Sequence, residues 1–126
     1  MRIIGNEIDE IQAGFLRALA SPHRLRIVHR LGESACEVNE LARDLGLNQA
    51  TVSQHLAAMR GVGLVDATRD GRHVRYQLAY PEILEACDVM RGVIVRRLTA
   101  LGSLAAAAAV PAQMPSIPPA PVVTPR

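Results

Sequence analysis

The chain has almost no aromatic residues: two tyrosines and one phenylalanine, with no tryptophan, make up 2% of its 126 residues. A core without aromatic side chains has to be built from Leu, Ile, Val, Ala and Met, which suits packed helices better than a β-sandwich. Because apolar residues still account for 49% of the chain, there is enough hydrophobic material for one domain of ordinary size. The composition therefore predicts a mainly helical domain.

Lysine is absent, so all 14 strongly basic residues are arginines, against 12 acidic residues. A formal net charge of +2 and a pI of about 8.9 are too mild to establish a polyanionic partner. The planar guanidinium group suits phosphate and guanine, but the base composition of the genome is the better explanation of its exclusive use. The positions of the arginines, and not the net charge, therefore have to indicate whether the protein binds a nucleic acid.

Long apolar runs and cysteine-rich patterns are missing as well. The most apolar window, Val89 to Val95, is interrupted by Arg91 and followed by two more arginines, so no membrane span and no membrane partner are expected. Two cysteines without an apolar signal-peptide region do not suit a secreted disulfide framework, so the reducing cytoplasm is the expected location.

Helical periodicity dominates the first quarter of the chain. Between Glu7 and Ala20 apolar residues recur at steps of three and four, which predicts an amphipathic helix. The pair Ser21-Pro22 then places a cap before a proline in the first turn, and the pattern of a second helix continues to Gly32. The predicted break between these two helices is short.

Two further short helices are predicted around a glycine turn. The first opens near Cys36–Glu37 and stops at Gly46, and Asn48 can cap the second, which ends near Gly61 or Gly63. Two short helices joined in this way form a helix-turn-helix. The buried face of the second is expected to consist of Val52, Leu56 and Met59.

A β-hairpin is predicted directly after these helices. Residues 64–68 and 73–78 flank the turn Arg69–Arg72, and an Asp-Gly pair between two such runs is a strong hairpin signal. Alternation in the second strand should turn one set of side chains to the core and leave the other in water. A hairpin after a helix-turn-helix is a wing. The expected core set is Val74, Tyr76 and Leu78, and the expected water-facing set is His73, Arg75 and Gln77.

A long helix is expected beyond Pro81, with an apolar stripe that is longer than one small core can cover. We therefore expect this helix, together with the first one, to pair with its copy across a two-fold axis, which makes the protein a homodimer. The stripe consists of Ile83, Cys87, Met90, Ile94, Leu98 and Leu101.

The end of the chain has a different composition. Residues 105–126 begin as an alanine run and continue as a proline-rich stretch with almost no charge. Such a sequence does not form a packed core, so we expect a flexible tail after a helix-turn-helix and dimerisation domain at residues 1–104. A polyproline ligand for a partner protein is the alternative interpretation of this tail.

The exposed side of the fourth predicted helix carries no acidic residue. Its amide and hydroxyl side chains can contact base edges or phosphates, and an alanine can pack on a thymine methyl group. A short polar helix with good caps would explain the isolated segment equally well, but arginines at its end and at the hairpin tip favour a DNA surface. The predicted DNA-binding residues are Gln49, Ala50, Thr51, Ser53, Gln54, His55, Arg60, Arg69 and Arg72.

Three segments together resemble the bacterial ArsR/SmtB family of metal and stress sensors. They are LRALASPHRLRIVHRL at 16–31, VNELARDLGLNQATVSQHLAAMRGVGLV at 38–65 and RDGRHVRYQL at 69–78. The resemblance implies a winged helix-turn-helix with four helices, a hairpin and a fifth helix. It also implies a dimeric repressor that binds an inverted repeat near a promoter and releases it when an effector binds. By position it adds His73 to the predicted wing contacts.

The usual metal sites of this family are incomplete here. Family members sense thiophilic metals through a motif like ELCVCDL, whose two cysteine positions fall on Glu37 and Asn39, with Cys36 one residue early. The family's second site, in the last helix, uses histidines that the matching region of this chain lacks. The cadmium and lead branch places cysteines late in the recognition helix, where this chain has Ala58 and Val62.

Cys36 and Cys87 remain as candidate effector-sensing residues. Cys36, near a predicted helix N-terminus, could have a lowered pKa, whereas a cysteine on an apolar stripe such as Cys87 is more often a small core residue. If the two thiols approach each other within or across the dimer, a thiophilic metal, a metalloid or an oxidant could bridge them. The four histidines have no metal-binding spacing, so no zinc cluster is expected.

Two functions are weighed for this fold. The first is a sequence-specific DNA-binding transcriptional regulator of double-stranded DNA, and the second is a winged-helix module that binds a protein partner instead of a groove. The acid-free helix and the arginines of the wing favour DNA. An enzyme has little support, because the chain lacks a nucleophile with a matched base, a phosphate-binding glycine loop and paired acids.

Overall fold

The computed structural model describes residues 5–102 and contains five helices and one hairpin in that range. This is the winged helix-turn-helix order that the sequence predicts. The proline-rich segment from residue 105 onward lies outside the described residues, so its predicted flexibility and the predicted boundary at residue 104 stay predictions. The elements are α1 (Gly5–Leu19), α2 (Pro22–Glu33), α3 (Val38–Leu45), α4 (Gln49–Gly61), β1 (Val65–Asp70), β2 (His73–Leu78) and α5 (Glu82–Ala100).

The start of α2 follows its sequence signal. Ser21 takes an extended conformation as the N-cap, and its hydroxyl accepts a hydrogen bond from the Arg24 backbone N–H at 3.4 Å. Pro22 occupies the first helical turn, where its missing N–H removes no intrahelical hydrogen bond. The break predicted between α1 and α2 is therefore a capped junction of two residues.

Helices α3 and α4 are joined by a tight turn with a cap on each side. Gly46 ends α3 in the left-handed conformation with φ 68°, which costs glycine no Cβ clash, and its N–H bonds back to the last turn. The Asn48 side chain then accepts a hydrogen bond from the Thr51 N–H at 2.7 Å and caps α4. These caps fix the direction in which α4 leaves the turn.

The predicted start of α3, at Cys36–Glu37, is one to two residues early. The helix begins at Val38, with Glu37 as the N-cap, and the Glu40 carboxylate accepts a hydrogen bond from the Glu37 N–H at 3.1 Å. Cys36 instead forms an isolated antiparallel bridge with Tyr76 of β2. The backbone of Cys36 is thus drawn into the sheet rather than into the helix.

The core lies where α2, α3, α4 and the start of β1 meet. The prediction for the inner face of α4 is confirmed, because Val52, Leu56 and Met59 are completely buried. No polar or charged residue of the described range is buried. The other core residues are Ala18, Ile27, Val28, Leu31, Cys36, Leu41, Ala42, Leu64 and Val65.

The hairpin turn lies one residue further along the chain than an Asp-Gly turn would place it. Asp70 pairs with His73, so the two-residue loop consists of Gly71 and Arg72, and β1 extends to Asp70. Only Gly71 takes a positive φ, at 63°, as in a type II′ turn with glycine first. The predicted alternation of β2 is confirmed, with Val74 half-buried and its neighbours in the strand exposed.

Two compact units divide the chain at residue 85, and α5 crosses from the first unit into the second. In the first unit, a Cβ on Gly32 of α2 would come 2.3 Å from Leu84 Cδ2, so a larger residue at this position would require the Leu84 side chain to move. No residue of α5 is buried. Within the described range, no helix combines the length and the apolar character that a membrane crossing requires. The large apolar residues exposed on α5 and just beyond it are Val89, Met90, Val93, Val95 and Leu101.

Candidate nucleic-acid interface

The buried residues of α4 determine which of its side chains form the outer face. Because the three buried residues of α4 point into the core, the positions between them turn outward. Gln49, Ala50, Ser53 and Gln54 are exposed, while Thr51 is half-buried next to the cap. The outward side chains are those that the sequence selects as contacts to bases.

Electrostatically, α4 favours an anion. The helix contains no acidic residue, its first turn leaves the positive end of the helix dipole uncompensated, and Arg60 adds a positive charge in the last turn. Arg60 is exposed and makes no ion pair within residues 5–102. A phosphate backbone can therefore approach either end of α4 without meeting a like charge from α4 itself.

His55 is oriented differently from the other predicted contacts. It is half-buried against α2, where its Nδ1 accepts a hydrogen bond from the Arg24 Nε at 3.0 Å. The ring of His23 lies 5.6 Å away in an edge-on arrangement. Burial lowers the pKa of His55, and the charges of Arg24 and His23 lower this pKa further. The Nδ1 atom of His55 is thus already engaged inside the protomer.

Arg24 anchors this contact in turn. Its guanidinium Nη1 donates a hydrogen bond to the Ala18 carbonyl oxygen at the end of α1, at 3.1 Å. One arginine therefore connects α1 and α2 to His55 of α4. No pattern within residues 48–61 could reveal this contact, because Arg24 lies 31 residues before His55 in the chain.

The tip of the wing carries two exposed arginines. Arg69 lies near the end of β1 and Arg72 is the second residue of the turn, and neither makes an ion pair within the part of the chain that the structure describes. His73 is exposed over 65% of its side chain, and its Nδ1 is bonded to the Glu37 carboxylate at the start of α3. The wing thus offers two unpaired guanidinium groups, while His73, directly after the turn, links the wing to the start of α3.

A cleft of about 440 Å³ separates α4 from the wing. It is lined by Ser53, Ala57, Arg60 and Gly61 from α4 and by Tyr76 from β2. The sequence assigns Tyr76 to the core, and its ring is indeed half-buried, but it also forms one wall of this cleft. The alternation of side chains in β2 turns Tyr76 toward the helices, and this pattern could have predicted that Tyr76 faces α4.

The two cysteines do not have the properties of activated thiols. Cys36 is completely buried, and burial raises the pKa of its thiol, although the charge of Arg30 opposes this shift. The prediction of a lowered pKa at a helix N-terminus is therefore wrong, because α3 begins only at Val38 and the Cys36 side chain is desolvated. Cys87 is half-buried, and burial raises the pKa of its thiol too.

The two thiols belong to different compact units of the chain, so their joint action stays a prediction. Between residues 5 and 102 no three His, Cys, Asp or Glu side chains are grouped so that they could hold a metal ion.

Comparison with known proteins identifies relatives for most of the described range. The family model described as "Bacterial regulatory protein, arsR family" matches residues 21–67. The HTH-type transcriptional regulator CmtR of Mycobacterium tuberculosis is 44% identical over 79 residues, which cover 63% of this chain and 67% of CmtR. A solution structure of that relative carries the description "cadmium metal-sensor" and has a TM-score of 0.57 to this chain.

Two further solved structures share the fold. The crystal structure of Rv0081 from M. tuberculosis has a TM-score of 0.68 and 38% identity, and the match covers 74% of this chain and 94% of Rv0081. The solution structure of a homodimeric winged helix-turn-helix DNA-binding domain from Mycobacterium bovis has a TM-score of 0.70 and 26% identity, covering 78% of this chain and 91% of that domain. The similarity thus extends over the helices and the wing together.

Proposed function

This chain belongs to the arsR family of bacterial regulatory proteins, and we propose that, as a DNA-binding transcription regulator, it represses its target genes as a homodimer on an inverted-repeat operator. It is not an enzyme. The regulator function takes precedence over the protein-interaction module that the fold alone would also allow. We place the protein in the cytoplasm, where such an operator is accessible.

The observation that carries the proposal is the outward face of α4, which combines amide and hydroxyl side chains with no acidic residue. Side chains of this kind bond to base edges in the major groove, whereas a carboxylate would be repelled by the phosphates on both sides. By name, the relative CmtR is an HTH-type transcriptional regulator and the relative from M. bovis is a winged helix-turn-helix DNA-binding domain. We infer that α4 is the recognition helix.

We assign the contacts by chemistry and position. Gln49 and Gln54 are exposed and bond to base edges, the exposed Ser53 hydroxyl bonds to a base edge or a phosphate, and Ala50 packs on a thymine methyl group. Thr51 supports the first turn of α4. The guanidinium groups contact phosphates or the adjacent minor groove, and the two histidines, each bonded inside the protomer, orient α4 and the wing. The guanidinium groups belong to Arg60, Arg69 and Arg72, and the histidines are His55 and His73.

The dimer follows from surfaces that one protomer leaves uncovered. On α1, Ile8, Ile11 and Leu16 are between 44% and 58% exposed, and α5 contributes its own exposed apolar residues. Large apolar side chains in this number on two helices are typical of an interface. We propose that both helices pair with their copies, as the homodimeric relative from M. bovis supports.

The effector remains a proposal that rests on the two thiols. Cys36 and Cys87 are the only cysteines of the chain, and thiolates select thiophilic metals and metalloids. The relative CmtR is described as a cadmium sensor. Because the backbone of Cys36 is hydrogen-bonded to Tyr76 in the wing, a ligand that moved Cys36 would also move the wing.

The operator proposal is tested by selecting duplexes from a random-sequence pool with the purified protein. We expect enrichment of an inverted repeat with half-sites about 10 base pairs apart, or a multiple of that distance. On the selected duplex, Gln54→Ala should cost about 1–3 kcal/mol and relax discrimination at one base step. Arg72→Ala should weaken binding to all duplexes and reduce the salt slope by about 1.

Gln77→Ala, on the water-facing side of β2, and Arg17→Ala, at an exposed position of α1, are the matched controls and should bind like the wild type. Failure of the pool to converge on any sequence would contradict the proposed operator. Equal loss by Gln54→Ala on selected and random duplexes would remove Gln54 from the residues that distinguish bases.

A further inference from the structure

The cleft between α4 and the wing has no role in the function described so far. Ser53 and Arg60 face it from α4, and Tyr76 faces it from β2. We propose that this cleft binds a phosphate of the DNA backbone and that the Tyr76 hydroxyl is a DNA contact. The proposal rests on the proposed recognition role of α4 and extends it to a residue that the sequence assigns to the core.

All three polar groups of the cleft are available to a ligand. Within residues 5–102, neither the Ser53 hydroxyl, the Arg60 guanidinium nor the Tyr76 hydroxyl has a hydrogen-bond partner or an ion pair. The Tyr76 hydroxyl is accessible to solvent, although Tyr76 as a whole is half-buried. Two hydroxyl donors and one guanidinium match the acceptor oxygens of a phosphate.

The backbone holds Tyr76 in place on both sides. The Cys36 N–H donates to the Tyr76 carbonyl oxygen at 3.0 Å, and the Tyr76 N–H donates to the Cys36 carbonyl oxygen at 2.8 Å. Both backbone groups of Tyr76 are used on that side, so Tyr76 and Ala67 of β1 form a non-hydrogen-bonded pair with closely spaced side chains. A small alanine opposite Tyr76 leaves room for the ring, and the backbone that carries the phenol is held in place before DNA binds.

Charge and position favour the DNA backbone over other ligands. No acidic residue lines the cleft. The other two α4 residues that line it, Ala57 and Gly61, are small and leave the cleft open. The cleft also lies between the two elements proposed to straddle the duplex, the recognition helix and the wing. A phosphate that is part of a strand running between these elements would enter from the open side.

The first test compares two variants that differ in charge. Tyr76→Phe removes one neutral hydroxyl, so it should weaken binding to the selected duplex by about 3- to 10-fold without changing the salt slope. Arg60→Gln removes a cation, so it should weaken binding and also reduce the slope by about 1. Tyr80→Phe, at the only other tyrosine, which is 61% exposed, and Arg17→Gln are the matched controls and should bind like the wild type.

The second test locates the phosphate. Single phosphates of the selected duplex are replaced by uncharged methylphosphonates, one position per duplex. At the phosphate that Tyr76 contacts, the wild type should lose affinity, whereas Tyr76→Phe should lose distinctly less than the wild type does. If every position weakens the wild type and Tyr76→Phe by the same factor, Tyr76 contacts no phosphate and the proposal is wrong.

The third test separates the DNA backbone from a free phosphate ligand. With tyrosine ¹³C-labelled only at the ring Cε positions, each of the two tyrosines gives one ring signal, and Tyr76→Phe and Tyr80→Phe assign them. Addition of the duplex should shift the Tyr76 signal and leave that of Tyr80 in place. A shift of Tyr76 with inorganic phosphate alone at constant ionic strength, together with no effect of the duplex, would assign the cleft to a free anion and overturn the proposal.

These outcomes differ from a failure of the proposed operator. If the wild type enriches no duplex, the operator proposal fails, and the labelled protein is then tested with random duplex at low salt, where a silent Tyr76 signal also overturns the phosphate site. If the wild type binds its selected duplex and Tyr76→Phe binds it equally well, only the phosphate site is wrong. Thermal unfolding of Tyr76→Phe at the wild-type midpoint would establish that any loss arises in the complex.

Discussion

A single imidazole joins the proposed recognition helix to the helices behind it. His55 projects from α4 toward α2, and it accepts the Arg24 hydrogen bond only while its Nδ1 carries no proton. The groups that face it are Arg24 and His23, both from α2, and both disfavour a second positive charge. The folded protein therefore prefers neutral His55, and the hydrogen bond holds α4 at a fixed angle to α2.

The lowered pKa of His55 makes stability depend on pH. Because the unfolded chain binds the proton more tightly, the contribution of His55 is fully present above its ordinary pKa of about 6.5 and is lost as pH falls through the lowered pKa. We expect His55→Asn, which keeps an acceptor near Nδ1 but does not titrate, to flatten this part of the stability profile. The free energy of unfolding in urea, measured at about pH 7.5 and at successively lower pH, checks the prediction.

One proton limits the effect to about 1.4 kcal/mol per pH unit. Near pH 7.5, where His55 is neutral, the variant and the wild type should differ least, which serves as the internal control. Parallel profiles for the two proteins down to acid pH would refute the assignment.

At residue scale, sequence patterns predict which way a side chain points better than they predict its hydrogen-bond partner. The outward positions of α4, such as Gln54 and Ser53, follow from the spacing of its apolar residues, because a helix turns by a fixed angle per residue. The partner of His55 was beyond such a pattern, since Arg24 reaches it only after the chain folds back. The availability of the Tyr76 hydroxyl likewise depends on what α4 places across the cleft.

At the scale of elements, caps and glycines determine most boundaries. Ser21, Gly46 and Asn48 mark three helix ends, each through a local hydrogen bond or a left-handed backbone that the residue type itself favours. The hairpin turn was one residue off because an Asp-Gly pair and a Gly-first loop both fit the same sequence. The start of α3 was misplaced for a tertiary reason, because the backbone of Cys36 pairs with Tyr76.

That pairing makes Cys36 the junction between the α2–α3 connection and the wing, and it leads to a test of the effector proposal. We expect cadmium or arsenite to release the wild-type protein from its selected duplex and to leave the double variant Cys36→Ala, Cys87→Ala bound. Alanine is chosen because Cys36 is completely buried, where a serine hydroxyl would be an unpaired polar group. Fluorescence anisotropy of a labelled duplex measures the release.

The metal-free double variant should bind the duplex with wild-type affinity, and each single variant should show which thiol is required. Release of the double variant at the wild-type metal concentration would exclude both cysteines as sensors. Loss of metal-free binding would instead reveal that Cys36 supports the wing through its packing.

At the scale of the whole molecule, the distribution of apolar surface is what a single protomer cannot account for. The core between α2, α3 and α4 is closed, yet large apolar residues stay exposed on α1 and on α5. The stripe predicted for α5 is partly covered, since Cys87, Ile94 and Leu98 are half-buried, while Met90 and Leu101 are exposed. The spacing of apolar residues predicted the stripe, but it could not predict which of its members face another chain.

Met90 offers the cleanest test of the proposed dimer, because it lies on the stripe and is 56% exposed in the protomer. Met90→Glu should therefore leave the fold intact and place an unpaired charge in the interface, at a cost of several kcal/mol to association. We expect light scattering to give the mass of a single chain, 13.6 kDa, for the variant and twice that mass for the wild type. Binding to the inverted repeat should weaken by about 10-fold or more, because a protomer bound to one half-site would no longer hold a partner protomer at the other half-site.

The matched control is Thr99→Glu, which adds the same charge on the opposite side of α5, where Thr99 is exposed and its hydroxyl bonds only to the Val95 carbonyl oxygen. This variant should stay dimeric and bind the duplex like the wild type. If Met90→Glu also stays dimeric at low micromolar concentration, the interface lies elsewhere, and the exposed apolar residues of α1 become the next candidates. A dimer formed through α1 alone would still present two α4 helices to the duplex, so the operator could remain an inverted repeat while α5 lost its proposed role.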